Sequence, residues 1–489
     1  MVRVCLVGGG FVPSEHMILN LWKKMIKNLF RKKNVGFIHE VSDHSKLSKT
    51  LGAIDLLFIG IGAVIGTGIF VLTGIHAAQT AGPAISISFI LAGITCIFVA
   101  LIYTEVASSI PSSGGSYTYA YVAIGEPAAW LVGWIVIAQL ICACTAVASG
   151  WSGYIMGIFR QLNITILPEM LTKKPIDGGI IDIPAIFIVI VITLVLIKGI
   201  KESTRLNAIL VFLKMAAIFL FLVIALPDFK LDNWSNFMPF GINGVALAAG
   251  SLFFAYTGFD AIANAAEECK NPEKDVTIGL IGSILISTVL YTLVAAMLTG
   301  IAHYSLLNNA EPLAYALKIN GSNIGGALVA TGGIAGMTTV ILFQIYAATR
   351  IGMAMSRDGL IPKVFSKVHP KFLTPHVSTL VIGGVIAALA GFAPINIMGD
   401  LNSIGALSAL VFVIISGLRL RSLKPNIKRP FRCPMIYLVS VIGGSLCLYL
   451  IFKLLGTVGW IFAGWVVAGV VVYFVYSRRK ATKVYTKNH

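Results

Sequence analysis

Apolar runs of about 20 residues, separated by short polar stretches, make up most of this chain, and each run is long enough to cross a hydrocarbon core of about 30 Å as a helix. We predict twelve such spans and number them span 1 to span 12 in chain order, at residues 52–78, 84–107, 126–158, 182–199, 204–226, 243–267, 276–302, 325–349, 376–393, 398–418, 434–453 and 457–477. Backbone groups in lipid must find hydrogen-bond partners within the protein, so spans are helices or barrel strands. The runs are too long and too continuously apolar for alternating barrel strands, which predicts an all-α integral membrane protein.

The placement of charge agrees with a polytopic membrane protein. Only 12% of the residues are charged, against about 25% in soluble domains. The net charge of +17 would suit nucleic acid, but the twelve spans put 30 of the 37 Lys and Arg residues on one side and six on the other, with Lys214 inside a span. This is the positive-inside pattern. It predicts that both termini are cytoplasmic, that the basic face lies against anionic lipid and that there is no nucleic-acid partner.

The first 50 residues are predicted to form a cytoplasmic segment, and residues 478–489 a cytoplasmic tail. Within the first segment, residues 17–33 alternate apolar and basic positions at roughly helical spacing. One interpretation is a helix that lies on the inner membrane surface. The other is that translation begins at Met17 or Met25, and the sequence leaves both open.

Two spans contain glycine-rich interruptions near mid-depth. Span 1 includes "GIGAVIGTGIF" at residues 60–70, and span 6 is interrupted by Gly258 and Asp260. Spans 1 and 6 correspond if spans 1–5 and 6–10 are two halves, and five spans per half is an odd number, so the halves must be inverted. Paired interruptions of this kind point to the binding site of a transporter. Close helix packing through Gly62 and Gly66 is the alternative explanation of the span 1 glycines.

The interruptions predict which chemical groups meet a substrate. An unwound helix exposes N–H groups at the start of its second half, which suit a carboxylate, and C=O groups at the end of its first half, which suit an ammonium. A site that offers both is suited to a zwitterionic amino acid. The predicted N–H donors are those of Gly66, Thr67 and Gly68. The predicted carbonyls for the α-amine are those near Val64, Phe254 and Ala255, and Thr257 is placed among the substrate-binding residues as well.

Three segments resemble the amino acid–polyamine–organocation superfamily: "GIGAVIGTGIFVLTG", "FFAYTGFDAIANAAEECKNPEKDVTIGL" and "SRDGLIPKVFSKVHPKFLTPH". Within it the sequence is most similar to the bacterial permeases that resemble cationic amino acid transporters, over about residues 25–480. The resemblance implies two inverted five-helix repeats, at 51–226 and 243–421, with spans 1 and 6 broken, followed by two extra helices at 432–477. It also implies alternating access and proton-coupled uptake. The substrate carboxylate would lie on Thr67 and Gly68, with Phe254 as an outer gate.

Lys214 is a single charge in the middle of span 5. It lies ten residues after Thr204, about 15 Å along the helix, which is too deep for the side chain to reach an interface. A charge at this depth is costly and indicates function. The resemblance implies that this lysine replaces a sodium ion which relatives bind between spans 1 and 8, and that it couples a proton to the conformational switch. A structural lysine, permanently paired with carbonyls, is the alternative.

Three further polar residues are candidates for specificity or gating. Gln139 in span 3 stands where members of the resembled family often carry a glutamate, which weakens the case for a cationic substrate. Gln344 in span 8 is placed among the substrate-binding residues, where it would meet a hydrogen-bonding side chain. Both glutamines could instead bond neighbouring helices. Glu105, near the inner end of span 2, is predicted to help close an inner gate or to cap the loop that follows.

The sequence therefore predicts a secondary active amino acid transporter in a bacterial cytoplasmic membrane, coupled to protons. Small or polar neutral substrates are slightly favoured over cationic ones; amino acid exchange and cationic amino acid uptake are the alternatives. An enzyme is not expected, because no nucleophile–base pair, metal cluster or nucleotide loop is evident. The seven cysteines suggest no disulfide framework, and those in or beside spans are expected to pack, namely Cys96, Cys142, Cys144, Cys433 and Cys447. His76, at the outer end of span 1, is expected at the surface, and a role in meeting protons is the alternative. We expect no cofactor or metal besides the coupling proton, and the sequence carries no signal for an oligomeric state.

Overall fold

A computed structural model describes residues 31–32, 52–110, 114–165, 167–199, 204–260, 262, 269, 271–478 and 480. The predicted surface helix at 17–33 lies outside these residues, apart from Arg31 and Lys32. The described residues are mainly helical, and an isolated β-bridge joins Thr172 to Asp182. The all-α membrane fold predicted from the sequence is confirmed. Below, the face at which span 1 begins is called inner and the opposite face outer.

The first five spans follow the predicted order. Span 1 is broken into Ala53–Val64 and a second half that alternates π- and α-helix, namely Gly68–Leu72, Thr73–His76 and Ala77–Ala81. The other helices of this half are span 2 (Ile85–Ser109), a short inner helix (Gly115–Ala123), span 3 (Glu126–Gln161), span 4 (Ile183–Lys198) and span 5 (Thr204–Ala225).

The second half repeats this order. Span 6 runs from Gly241 to Leu252 and continues as a 3₁₀ turn, Phe253–Tyr256. The remaining helices are span 7 (Pro272–Ile301), a short outer helix (Pro312–Ile319), span 8 (Asn323–Arg357), span 9 (His376–Phe392) and span 10 (Ile395–Leu423). Among the described residues, seven helical stretches are long and apolar enough to cross a membrane, and four shorter apolar helices accompany them.

Spans 11 and 12 form one helical element, Ile436–Val472, which continues as a π-helical turn, Tyr473–Ser477. Its contacts nevertheless show that the chain reverses direction within this element. Near its start, the Cys433 N–H donates to Glu105 at the inner end of span 2. In its middle, Lys453 donates to Asn243 at the outer end of span 6, and near its end Gly469 O accepts from Trp130 at the inner end of span 3. The element therefore crosses the membrane twice, and the chain turns back near Lys453 within it.

The helix contacts are symmetric between the two halves. If each span of the first half is exchanged with the span five places later, the main pairs of helices in contact are the same. Spans 2 and 7, 3 and 8, and 4 and 9 pack against each other. The contact of span 5 with span 8 is matched by that of span 10 with span 3, and the contact of span 1 with span 7 by that of span 6 with span 2. Two halves of opposite orientation produce this pattern, and it brings the two broken spans together at the centre.

A buried polar cluster fixes the outer ends of the surrounding helices. Lys174, in the loop between spans 3 and 4, donates to Ser149 Oγ at 2.5 Å and to the carbonyl of Ala393, just before span 10. Asp182, which caps span 4, accepts from Ser152 Oγ at 2.5 Å. Burial lowers the pKa of Lys174 to about 8, and the charge of Asp182 opposes that shift. Spans 3 and 4 and the link from span 9 to span 10 are thereby joined.

Candidate functional site

The break in span 1 leaves donors outside the helical hydrogen-bond ladder. The first half ends at Val64, and Ile65 is extended, with φ −77° and ψ 108°. The first bonds of the second half run from the N–H groups of Ile69 and Phe70 to Gly66 O, at 3.2 and 3.4 Å. The N–H groups of residues 66–68 precede these donors and are the orphan groups of a helix start. Thr67 Oγ1 is buried beside them and has no hydrogen-bond partner among the described residues.

The break in span 6 lies directly against the break in span 1. The 3₁₀ turn ends at Tyr256, and Gly258 has a φ of +108°, a conformation that favours glycine. A β-carbon added to Gly258 would lie 2.8 Å from the carbonyl oxygen of Ala63. One added to Gly68 would lie 2.5 Å from Ala255 Cβ. The two breaks therefore meet at two points, and both contacts require the absence of a side chain.

The predicted carbonyls face each other across a tyrosine that the sequence analysis missed. Tyr291 Oη, from span 7, lies 3.1 Å from Val64 O and 3.0 Å from Ala255 O. The Phe254 carbonyl accepts from both the N–H and the hydroxyl of Thr257. Each carbonyl oxygen has two lone pairs, so Val64 O and Ala255 O each keep one for an ammonium group, whereas the two donors on Phe254 O occupy both of its lone pairs. Tyr291 could have been noticed as a buried hydroxyl in an apolar run, but its partners are 36 and 227 residues away.

We predict that Tyr291→Phe weakens substrate binding. Removing the hydroxyl takes away the group that orients two buried carbonyls, and the KM is expected to rise about tenfold. Tyr473→Phe is the matched control, because Tyr473 is also buried and donates to Glu126 at the inner end of span 3, away from the two breaks. The measurement is the concentration dependence of uptake for both variants. Equal KM values for the two would show that Tyr291 has no special role.

Lys214 reaches the carbonyl end of span 1. The side chain is fully buried, and Nζ donates to Gly62 O and, at 3.0 Å, to Ile65 O. Its methylene stem lies against Gly336 in span 8, where an added β-carbon would approach it to 3.2 Å. The ammonium therefore joins span 5 to the last turn of the first half of span 1, beside span 8. Its coupling role stays a prediction.

Amide side chains lie on three helices that approach the breaks. Gln344 is buried in span 8, three residues after Ile341, whose carbonyl faces Cys144 of span 3. Gln139 in span 3 lies against Gly405 of span 10, where an added β-carbon would be 3.1 Å from Gln139 Cβ.

The third amide is Asn402 in span 10, which the sequence analysis missed. Its Nδ2 lies 3.5 Å from Thr257 Oγ1 at the break in span 6. Its Oδ1 is buried without a hydrogen-bond partner in the part of the chain that the structure describes. Asn402 therefore presents an unused acceptor at the break.

Glu105 belongs to an ion cluster at the inner face. Arg421 of span 10 donates to it from Nε at 2.7 Å and from Nη2 at 2.5 Å. The N–H of Cys433 donates at 2.7 Å, and Arg429 lies 3.4 Å away. These contacts are with span 10 and with the link from span 10 to span 11, rather than with the two breaks. A gate role for Glu105 stays a prediction.

Comparisons with known proteins give a consistent family. The family profile described as "Amino acid permease" matches residues 51–486. The methylthioribose transporter of Bacillus subtilis is 44% identical over 93% of this chain and 99% of its own length. The branched-chain amino acid permease BcaP of the same organism is 43% identical over 92% and 98%. Cationic amino acid transporter 4 of Arabidopsis thaliana, named as vacuolar, is 34% identical over 82% and 68%.

Proposed function

The chain belongs to the amino acid permease family, and from that premise we propose that it carries neutral amino acids across a bacterial cytoplasmic membrane together with protons. As a permease it is a transporter and not an enzyme. The observation that carries the proposal is the meeting of the two breaks. Orphan N–H groups and Thr67 Oγ1 lie on one side, and the carbonyls of Val64 and Ala255 lie on the other. This arrangement suits the carboxylate and the ammonium of a zwitterion.

Lys214 supports proton coupling. In its charged form Lys214 donates to the carbonyl oxygens of Gly62 and Ile65. A sodium ion bound at this place would need the same oxygens as ligands. Loss of the proton from Lys214 removes the charge that holds the end of the first half of span 1, and that half is then free to move. A proton taken up on one side and released on the other thereby accompanies the switch in access. If Lys214 stays charged throughout the cycle, the protein is an exchanger.

The surroundings of the breaks favour an uncharged substrate side chain. Val340 of span 8 lies against Gly66, and Met337 lies close to Thr67 through their shared contact with Gly150. The amide of Asn402 supplies a neutral hydrogen-bonding group at the break in span 6. A neutral side chain, small or weakly polar, fits apolar walls with a few hydrogen-bonding groups. The relatives named for branched-chain amino acids agree with this class, and those named for cationic amino acids make cationic uptake the alternative.

Uptake by the purified protein in proteoliposomes tests the proposal. The panel contains radiolabelled leucine, valine, alanine, serine, threonine, glutamine, lysine and arginine, together with methylthioribose. Each is measured with an inward proton gradient and with equal pH. Accumulation of neutral amino acids only with the gradient supports the proposal. Uptake that requires unlabelled amino acid inside, whatever the pH, shows an exchanger, and preference for lysine and arginine shows a cationic system.

Charge at position 139 is expected to change the substrate preference. In Gln139→Glu, a carboxylate near the break would attract a cationic side chain, and uptake of lysine and arginine relative to leucine should rise about tenfold. Gln161→Glu is the matched control on the same helix, because Gln161 is exposed at the outer end of span 3. The measurement is competition between labelled leucine and unlabelled lysine. If both variants keep the wild-type ratio, position 139 does not face the substrate.

A further inference from the structure

The sequence analysis expected His76 at the surface, but the structure buries it. It ends the α-helical turn Thr73–His76 in the second half of span 1, and only 4% of it is exposed. Its Nδ1 has no hydrogen-bond partner within the described ranges. A buried imidazole with an unused nitrogen has no evident structural role here. It is also the side chain whose ordinary titration lies in the physiological pH range.

An acid faces this histidine from span 10. Asp400 is 6% exposed, and its Oδ1 is buried and unpartnered in the portion of the chain covered by the structure. The side chains of His76 and Asp400 are close enough for their charges to interact. The neutral neighbours of Asp400 are Ser251 of span 6 and Thr457 of the last helical element. A carboxylate buried with an unused oxygen is costly unless a proton or a cation reaches it.

The pair lies one helical turn inward from another contact of the same helices. Gln79, three residues after His76, accepts at 3.2 Å from Nδ2 of Asn396, which is four residues before Asp400. Residues three or four apart share a helix face, and spans 1 and 10 are antiparallel here, so His76 and Asp400 follow this exposed amide pair on the facing sides of the two helices. Gly399, next to Asp400 in sequence, lies near the predicted gate: a β-carbon on it would lie 3.3 Å from Leu72 and 4.0 Å from Phe254.

We propose that His76 and Asp400 form a second proton-binding site, at which a proton from the outer side closes the second half of span 1 against span 10 over the bound substrate. This inference rests on the proposed transport function. The proton adds to the neutral imidazole, and the resulting imidazolium donates to the carboxylate, so that two unused polar atoms become a hydrogen-bonded ion pair. No bond other than that to the proton is made or broken. The site differs from Lys214, which contacts the first half of span 1.

His76→Gln tests this site, because glutamine keeps the polarity and approximate size but cannot titrate. His303→Gln is the matched control, since His303 lies exposed in the outer loop after span 7. Uptake is measured at fixed inner pH while the outer pH varies from about 5 to 8, around the ordinary pKa of histidine. The wild type and His303→Gln should show a KM that falls severalfold as the outer pH decreases. His76→Gln should lose the part of this change that falls near the ordinary pKa of histidine, and keep only the pH dependence that the coupling proton at Lys214 gives.

A second measurement does not depend on transport. The midpoint of thermal unfolding is measured across the same pH range for the wild type, both histidine variants and Asp400→Asn. The proposal expects a pH-dependent difference between wild type and His76→Gln, absent for His303→Gln, and expects the same difference for Asp400→Asn. A wild-type pH profile in His76→Gln, in uptake or in unfolding, overturns the second site. Failure of the wild type to transport any amino acid overturns the proposed function instead, and the unfolding data still decide on the pair.

Discussion

Lys214→Met is expected to abolish accumulation of amino acid driven by an inward proton gradient. Methionine keeps the stem that lies against Gly336 but removes the ammonium that bridges Gly62 and Ile65. Without a titratable group at this position, no proton accompanies the movement of the first half of span 1. We expect gradient-driven uptake to fall by about 100-fold or more, since a buried intramembrane charge is retained for function. The measurement is the initial rate of labelled uptake into proteoliposomes with and without the gradient.

Lys453→Met is the matched control for Lys214. Lys453 is also in a membrane helix, but it lies at the outer face of the membrane, where spans 11 and 12 meet, and it donates to Asn243. The Lys453→Met variant should keep the wild-type coupling of amino acid uptake to the proton gradient. The thermal stability of both variants is measured in detergent, so that loss of folding is recognised. A folded Lys214→Met protein that still concentrates substrate with the gradient would contradict the coupling role.

Gly68→Ala is expected to close the substrate site. The added β-carbon would lie 2.5 Å from Ala255 Cβ and 2.6 Å from Ala255 Cα, closer than β-carbons approach other atoms. One of these contacts is backbone, which no side-chain rotation can relieve. The two breaks must separate, and the N–H groups then move away from the carbonyls opposite. We expect substrate affinity to fall by about 100-fold, because alignment of both charged ends of the substrate is lost.

Gly384→Ala is the control for Gly68→Ala. A β-carbon on Gly384, in span 9, would meet nothing within 4 Å, so the same chemical change carries no steric cost. Binding is read from the rise in unfolding temperature that substrate produces, which does not require transport. The wild type and Gly384→Ala should be stabilised by substrate, and Gly68→Ala should not. Equal stabilisation of all three would place the substrate elsewhere.

The spans and their two interruptions could be predicted because lipid imposes simple requirements on a sequence. A helix must be apolar over the thickness of the membrane, so the length of each run indicates a crossing. Glycines in the middle of such a run, as in "GTG" at residues 66–68, are unfavourable unless the backbone is used. The reversal between spans 11 and 12 could be predicted for the same reason, since the two apolar runs end and begin on either side of residues 454–456, next to Lys453 at the outer face.

The contacts between helices could not be predicted from the sequence. Tyr291 and Asn402 reach the breaks from spans 7 and 10, and neither has a local pattern that indicates a partner. His76 is buried because its helical turn packs against span 6, span 7 and the short outer helix, although its position near the end of an apolar run suggested the surface. Lys214 was identifiable because a charge in the middle of a span is conspicuous without knowledge of its neighbours.

Proton movement coupled to substrate entry tests the central claim most directly. Proteoliposomes contain a pH-sensitive dye and the purified protein, with equal pH on both sides and no membrane potential. Addition of leucine outside should acidify the interior for the wild type, and Lys214→Met should give no change. Entry of labelled leucine into wild-type proteoliposomes without any change in internal pH would contradict proton coupling.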